Sequence, residues 1–190
     1  MEGTVGGEPG GTSEKLIAAA AEAFDEHGFL GTDSNKIARR AGFAPQTFYR
    51  WFKDKTAIFL AVLRAREPED LNLIGWLLIG EASEADRIEA AVQQHRQRRH
   101  FRRSLARLAL EDAAVRGAVA EMRTRRLEQI RLWAPASAAL DGGWLGAALL
   151  TLERLIDAIA EGELADQGLD EAPARTVIGR IVAGIRSGDL

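Results

Sequence analysis

The stretch KIARRAGFAPQTFYRWF, Lys36 to Phe52, constrains this chain more than any other. Two short runs with helical apolar spacing flank Gly42, too close together for anything but a tight turn. Ile37, Ala38 and Ala41 give the first run a small apolar face, and Ala41 and Gly42 let a second helix approach closely. Pro45 suits the first position of that second helix, where a missing amide hydrogen costs nothing. Phe48 and Phe52 are four residues apart and share a face. With Phe43 they form the side that buries, and Trp51 beside them is expected to pack on the first helix as core. Gln46, Thr47 and Arg50 then point outward. Arginine and glutamine pair bidentately with base edges, so this face has the chemistry of major-groove readout. Tyr49 points sideways, where its hydroxyl can reach a phosphate. Lys55, at the start of the next helix, would bring its ammonium to another phosphate beside the helix amides.

Helical spacing runs through the rest. β-branched residues are scattered and period-two alternation never lasts. Thr12 or Ser13 is placed to cap a first helix ending at His27, with Gly28 as its stop and Leu16, Ile17, Ala20 and Phe24 as its apolar stripe. Thr32, Asp33 and Ser34 precede a short helix over 35–41; Pro45 opens one reaching Phe52; Lys53 and Asp54 break it; a fourth helix runs from Lys55 to Arg66. Glu67-Pro68 then marks a domain boundary, because proline disfavours helical continuation. Longer helices are expected over 71–80, 85–110 with a break near His100, 113–133, 144–164 and 174–187, with 135–143 as a loop. The predicted fold class is all-α: a tail over 1–11, a three-helix helix-turn-helix domain over 12–66 and a helical domain over 67–190.

Charge is uneven along this frame. From Thr32 to Arg66 eight basic residues face two acids, so a chain of net charge −3 carries a locally basic module on an acidic remainder. That fits a polyanion contact confined to one end. A second basic run, HRQRRHFRR from His95 to Arg103, lies among Glu81, Glu84, Asp86, Glu89, Glu111 and Asp112. It reads foremost as a solvated helix face, next as a contact to an acidic ligand or to the N-terminal domain, and least as a second nucleic-acid site.

With no cysteine, disulfides, thiolate metal sites and a thiol nucleophile are excluded. His27, His95 and His100 form no metal-ligand spacing, and no nucleophile–base arrangement is visible, so no catalytic residue, metal or cofactor is expected and the chain is read as not an enzyme. No apolar run approaches the roughly 20 residues of a membrane helix. The N-terminal MEGTVGGEPGG lacks a basic, apolar signal pattern, which gives the expectation of a flexible tail and a cytoplasmic protein.

Segment 12–63 resembles the DNA-binding domain of the TetR family of transcriptional repressors. The resemblance is carried by His27-Gly28-Phe29, Thr32, Ile37-Ala38, Ala41-Gly42-Phe43, Thr47-Phe48-Tyr49-Arg50-Trp51-Phe52 and Lys55, in register. It departs from the family pattern at Ser34, where a hydrophobic residue is usual, at Ala44, where a capping serine is usual, and at Pro45 and Gln46, which replace lysine and glycine. The resemblance implies contacts to a palindromic double-stranded operator through Thr32, Lys36, Gln46, Thr47, Tyr49, Arg50 and Lys55. It further implies a homodimer through the last two helices and a small-molecule effector, hydrophobic or aromatic, that releases the DNA. The apolar faces expected at the dimer are Leu145, Leu149, Leu152, Leu155, Ile156 and Ile159 on one helix, and Val177, Ile178, Ile181, Val182 and Ile185 on the other. Trp76, Phe101, Met122, Trp133 and Trp144 are the candidate chamber-lining residues, each weighed against simple core. The alternative is a ligand-independent DNA-binding or architectural protein.

Overall fold

Leu16, Ala19, Ala20, Ala23 and Phe24 recur at helical spacing and form the buried stripe of α1, Thr12–His27. The computed structural model describes residues 11–189, and among these the chain is helical with no strand. The expected tail over 1–11 therefore lies outside the described residues except for Gly11. Gly11 is itself the N-cap of α1, which has no side-chain cap, so neither Thr12 nor Ser13 takes that role.

Asp33 starts α2, Ser34–Arg40, by accepting a hydrogen bond from the Lys36 amide at 2.8 Å. The carboxylate that would repel a phosphate is thus engaged as a helix cap. Gly42 turns the chain with φ 80°, a conformation natural only to glycine, and α3 follows over Pro45–Trp51 with proline in its first turn. Asp54 caps α4 through the Ala57 amide at 2.7 Å.

α4 departs from the sequence reading. It runs unbroken over Lys55–Ile79, with Pro68 inside it, where a stop at Arg66 and a separate helix over 71–80 were expected. An internal proline removes one hydrogen bond and crowds the preceding turn, at about 3 kcal/mol or more. Anchorage on both sides outweighs that cost. Ile58, Phe59, Val62 and Leu63 are buried before Pro68 and Leu77 and Leu78 after it. Glu67 pairs with Arg125 at 2.7 Å, and Asp70 with Arg98 at 2.8 Å and Arg126 at 3.2 Å. Pro68 itself faces solvent.

The remaining helices are α5 (Glu84–Gln97), α6 (Arg99–Glu111), α7 (Ala113–Trp133), α8 (Gly142–Glu161), α9 (Glu163–Asp166) and α10 (Ala172–Ser187), with a 3-10 turn over Pro135–Ala139. The α5–α6 break falls at Arg98, just before the expected His100. Left-handed Gly162 ends α8 three residues short of Leu164.

Two cores result. The first joins α1–α4 to Phe101 of α6 and Val115, Val119 and Met122 of α7. The second joins the far half of α4 to α5, α7, α8 and α10. α4 serves both cores, and its 25 residues span about 37 Å at 1.5 Å per residue. The apolar faces expected at a dimer contact are largely used here: Leu145, Leu152, Ile156, Ile159, Ile178, Val182 and Ile185 are all buried within the chain. What α8 and α10 leave exposed shares only Val177 with the expected faces: Trp144, Ala147, Thr151 and Arg154 on one and Val177, Arg180 and Ala183 on the other.

Candidate nucleic-acid interface and effector chamber

Only Phe48 of α3 is fully buried; it packs within 5.8 Å of the Phe52 ring and 5.3 Å of Tyr49. With that residue inward, Gln46, Tyr49 and Arg50 are exposed and Thr47 is half-buried. Lys36, at the start of α2, is exposed as well. Trp51, expected as core, is 48% exposed. Trp51 is the last residue of α3, one turn after half-buried Thr47, and lies on that flank while the extended Phe52 beyond it turns back toward Phe48.

Thr32 and Lys55 do other work than expected. Thr32 is buried, and its hydroxyl donates to the Ala23 carbonyl at 3.2 Å. The Lys55 ammonium turns into the α1–α2 connection, donating to the carbonyls of Phe29 at 2.6 Å and Thr32 at 2.8 Å, and sits 4.1 Å from the Phe29 ring centre. Burial pushes its pKa down. Both residues brace the segment leading to α2. Lys55→Met should therefore lower stability by about 1.5–3 kcal/mol, the range for a hydrogen bond to a charged group. It should weaken DNA binding on every sequence while leaving the salt dependence unchanged. A loss of about one from the salt slope would instead mark a direct phosphate contact.

In the second half, two adjoining cavities open between α4, α5, α6, α7 and α8. One, of about 190 Å³, is walled by Leu73, Leu77, Leu127, Leu149, Leu152 and Ile156. The other, of about 320 Å³, reaches Leu63, Phe101, Leu105 and Met122. A charged partition borders both: Asp70, His95, Arg102, Arg123, Arg126 and Glu153. Arg126 donates to Glu153 at 2.5 Å and to Asp70 at 3.2 Å. Arg102 donates to Asp157 at 2.5 Å, and His95 Nδ1 lies 2.8 Å from the same carboxylate.

Residues 16–62 match the family model described as bacterial regulatory proteins, tetR family. The N-terminal domain is a TetR-family domain. The fold of the whole chain is that of known regulators. It is similar to the fatty acid degradation regulator FadR of Bacillus halodurans, at 16% identity, TM-score 0.62, and coverage of 94% of this chain and 96% of that one. A candidate TetR-family transcriptional regulator of Mesorhizobium loti gives 20% identity, TM-score 0.61 and coverage of 92% and 94%. FadR of Bacillus subtilis, solved in complex with stearoyl-CoA, gives 18% identity, TM-score 0.57 and coverage of 93% and 99%. No curated protein matches the chain in sequence. Residues 16–62 thus carry the TetR-family match, and the chain as a whole shares the fold of these regulators.

Around this TetR-type head, three of the five expected chamber residues lie elsewhere. Trp144 is 66% exposed, Trp76 sits at the surface and Trp133 lays its ring 3.3 Å from where a Cβ on Gly75 would be. Phe101 and Met122 do border the second cavity, and both belong to the head's core. Phe101 stacks on Phe59 at 4.7 Å, and Arg66 lies over it at 4.6 Å while binding Asp25. The basic run is not a free face either: His95, Arg98, Arg102 and Arg103 each meet a carboxylate. Sequence reasoning missed Asp70, Arg126, Glu153 and Asp157. The available signal was a set of charged residues at apolar-face positions of otherwise amphipathic helices. Among the described residues no group of three or more acids or histidines could hold a metal ion, and no helix is long and apolar enough to cross a membrane.

The partition makes stability acid-sensitive. Burial works against the Asp157 carboxylate, but hydrogen bonds from His95 and Arg102 override it and lower its pKa from 3.8 to about 2. Burial also lowers the pKa of His95 from 6.5, so it is neutral at pH 7 despite Asp157, with Arg102 opposing its protonation. Both groups bind fewer protons folded than unfolded, so stability falls on acidification. The His95 part is lost from about pH 6.5 downward. The Asp157 part, about 2 kcal/mol, is lost between about pH 4 and 2. Urea midpoints measured across this range should fall in that order, and His95→Gln should remove the upper step.

Proposed function

We propose that the protein is a ligand-responsive, sequence-specific repressor that holds a palindromic operator as a homodimer and releases it when a small molecule enters the helical half. The observation that carries this reading is the α3 surface, where Gln46 and Arg50 stand outward, with half-buried Thr47 beside them, on a helix fixed from behind by Phe48. Tyr49 and Lys36, both exposed, flank it as candidate phosphate contacts. One such helix per subunit suits two half-sites about 34 Å apart. The exposed strips of α8 and α10 are the surfaces for the partner copy, small at Ala147 and Ala183 and apolar at Trp144 and Val177. The division of labour falls at 12–66 for DNA and 67–190 for effector and dimer, with α4 crossing between them. A regulator of this kind works where the DNA is, in the cytoplasm.

The leucine-lined cavity supports an effector with a hydrophobic body, and the stearoyl-CoA complex of the Bacillus subtilis FadR is consistent with that class. Release follows if the ligand prefers the state whose recognition helices no longer match the groove spacing, in proportion to its differential affinity.

Selection from random duplexes by the purified protein tests the reading. One enriched palindrome is the expected result; no enrichment would favour a ligand-independent architectural role. Arg50→Ala should then relax preference at one position per half-site by about 1–3 kcal/mol. An equal loss on every operator variant would remove Arg50 from base readout.

A further inference from the structure

The cavity that the proposed function treats as the effector chamber carries a more specific message in its polar end. Arg126 is 5% exposed and has five N–H donors to place. Its two terminal nitrogens bind Glu153 and Asp70, but its Nε is buried without a partner. Arg123, on the same helix one turn earlier, reaches only the same Glu153, at 3.6 Å. Two guanidinium groups thus share one glutamate at the polar end of the chamber, beside Asp70, Gln94, His95 and Arg102, while most of the remaining wall is leucine and isoleucine. A buried donor left unpaired is costly, and the acceptor matched to a guanidinium edge is a planar carboxylate. The leucine-lined cavity by itself, at about 190 Å³, falls below the roughly 300–1,000 Å³ of sites for drug-sized ligands, so a body seated in it is compact.

We infer that the effector is a compact apolar molecule ending in one free carboxylate, its body in the leucine-lined chamber and its carboxylate on Arg126 and Arg123. This rests on the reading of that cavity as the effector site. The carboxylate competes with Asp70 for Arg126. Asp70 belongs to α4, whose first residue is Lys55, the brace of the segment before α2. Binding therefore acts on the DNA-reading half along a single helix.

The probes are octanoate, octanol and octanoyl-CoA with the full chain, followed by calorimetry, thermal midpoint and operator retention. Octanoate should bind saturably, raise the midpoint and bind about tenfold or more tighter than octanol, the worth of one charge-assisted contact. Arg123→Gln should narrow that preference. Gly146→Leu should abolish octanoate binding without lowering the midpoint or operator affinity, because Gly146 lines the chamber and a Cβ there meets nothing within 4 Å. Equal binding of octanol and octanoate overturns the inference, as does binding of octanoyl-CoA alone or octanoate binding unaffected by both substitutions. No binding of octanoate overturns it while an enriched palindrome leaves the DNA-binding reading intact. Saturable octanoate binding that leaves the operator bound keeps the carboxylate site and rejects its role in release.

Discussion

Arg126→Ala should cost about 3–5 kcal/mol of folding stability, the usual range for removing one partner of a buried ion pair. The side chain is 7% exposed, and its removal takes one cationic partner from Glu153 of α8 and from Asp70 of α4, at 26% and 19% exposure. Neither carboxylate would be left alone: Asp70 keeps Arg98 and Glu153 keeps its long contact with Arg123. The loss should therefore sit toward the lower end of the range, and the midpoint of urea unfolding should drop with little change in slope. Adding Asp70→Asn and Glu153→Gln to the alanine variant should recover part of it, because the under-compensated charges are then gone. A single-variant loss below about 1 kcal/mol would mean that the partition is solvated and contributes no more than a surface pair.

Phe48→Ala should cost about 3–5 kcal/mol, in line with truncation of buried aromatic residues. Its consequence is more local than that figure suggests. α3 is a seven-residue helix whose sole fully buried side chain is Phe48. A helix so short is not stable on its own propensity and depends on tertiary packing. The amides of α3 should exchange with solvent far faster than those of α1, and operator affinity should be lost even where the rest of the chain remains folded. Trp51→Ala is the control. At 48% exposure it should change stability by about 0.5 kcal/mol or less. A Trp51 loss as large as that of Phe48 would mean that α3 packs through the other flank, and the outward placement of Gln46 and Arg50 would fail with it.

The head was readable because its signals are local. Asp33 as a cap, Gly42 at the turn, Pro45 at the helix start and the Phe48–Phe52 pair each act within four residues of their partners. Trp51 escaped because a seven-residue helix leaves too few turns to show how wide its buried stripe is. Thr32 and Lys55 were read as DNA contacts because sequence position places them beside the helix proposed to face DNA. The direction of a hydroxyl or an ammonium is set by which carbonyls lie nearest, and those of Ala23, Phe29 and Thr32 are brought there only by the packing of α1 against α4.

The middle of the chain shows the same limit at longer range. Pro68 carries a correct local message, a weakened helix, which contacts from distant residues such as Arg125 and Arg126 overrule. The chamber partition is built from pairs separated by up to 62 residues, as in His95 with Asp157. No periodicity records a pairing of that kind, because each charged residue reads alone as a surface residue until its partner is placed opposite it.

By itself the sequence determined the all-helical class, the helix-turn-helix and the outward set on its second helix, since these depend on backbone preferences and on one-turn spacing. Tertiary structure alone decided that α4 runs through its proline and that Lys55 looks inward. It also decided that the apolar sides of α8 and α10 fill their own subunit and that a ring of buried charge borders the chamber. The physical reason is that burial and charge pairing are set by distances between helices, which the order of residues along any one helix does not contain.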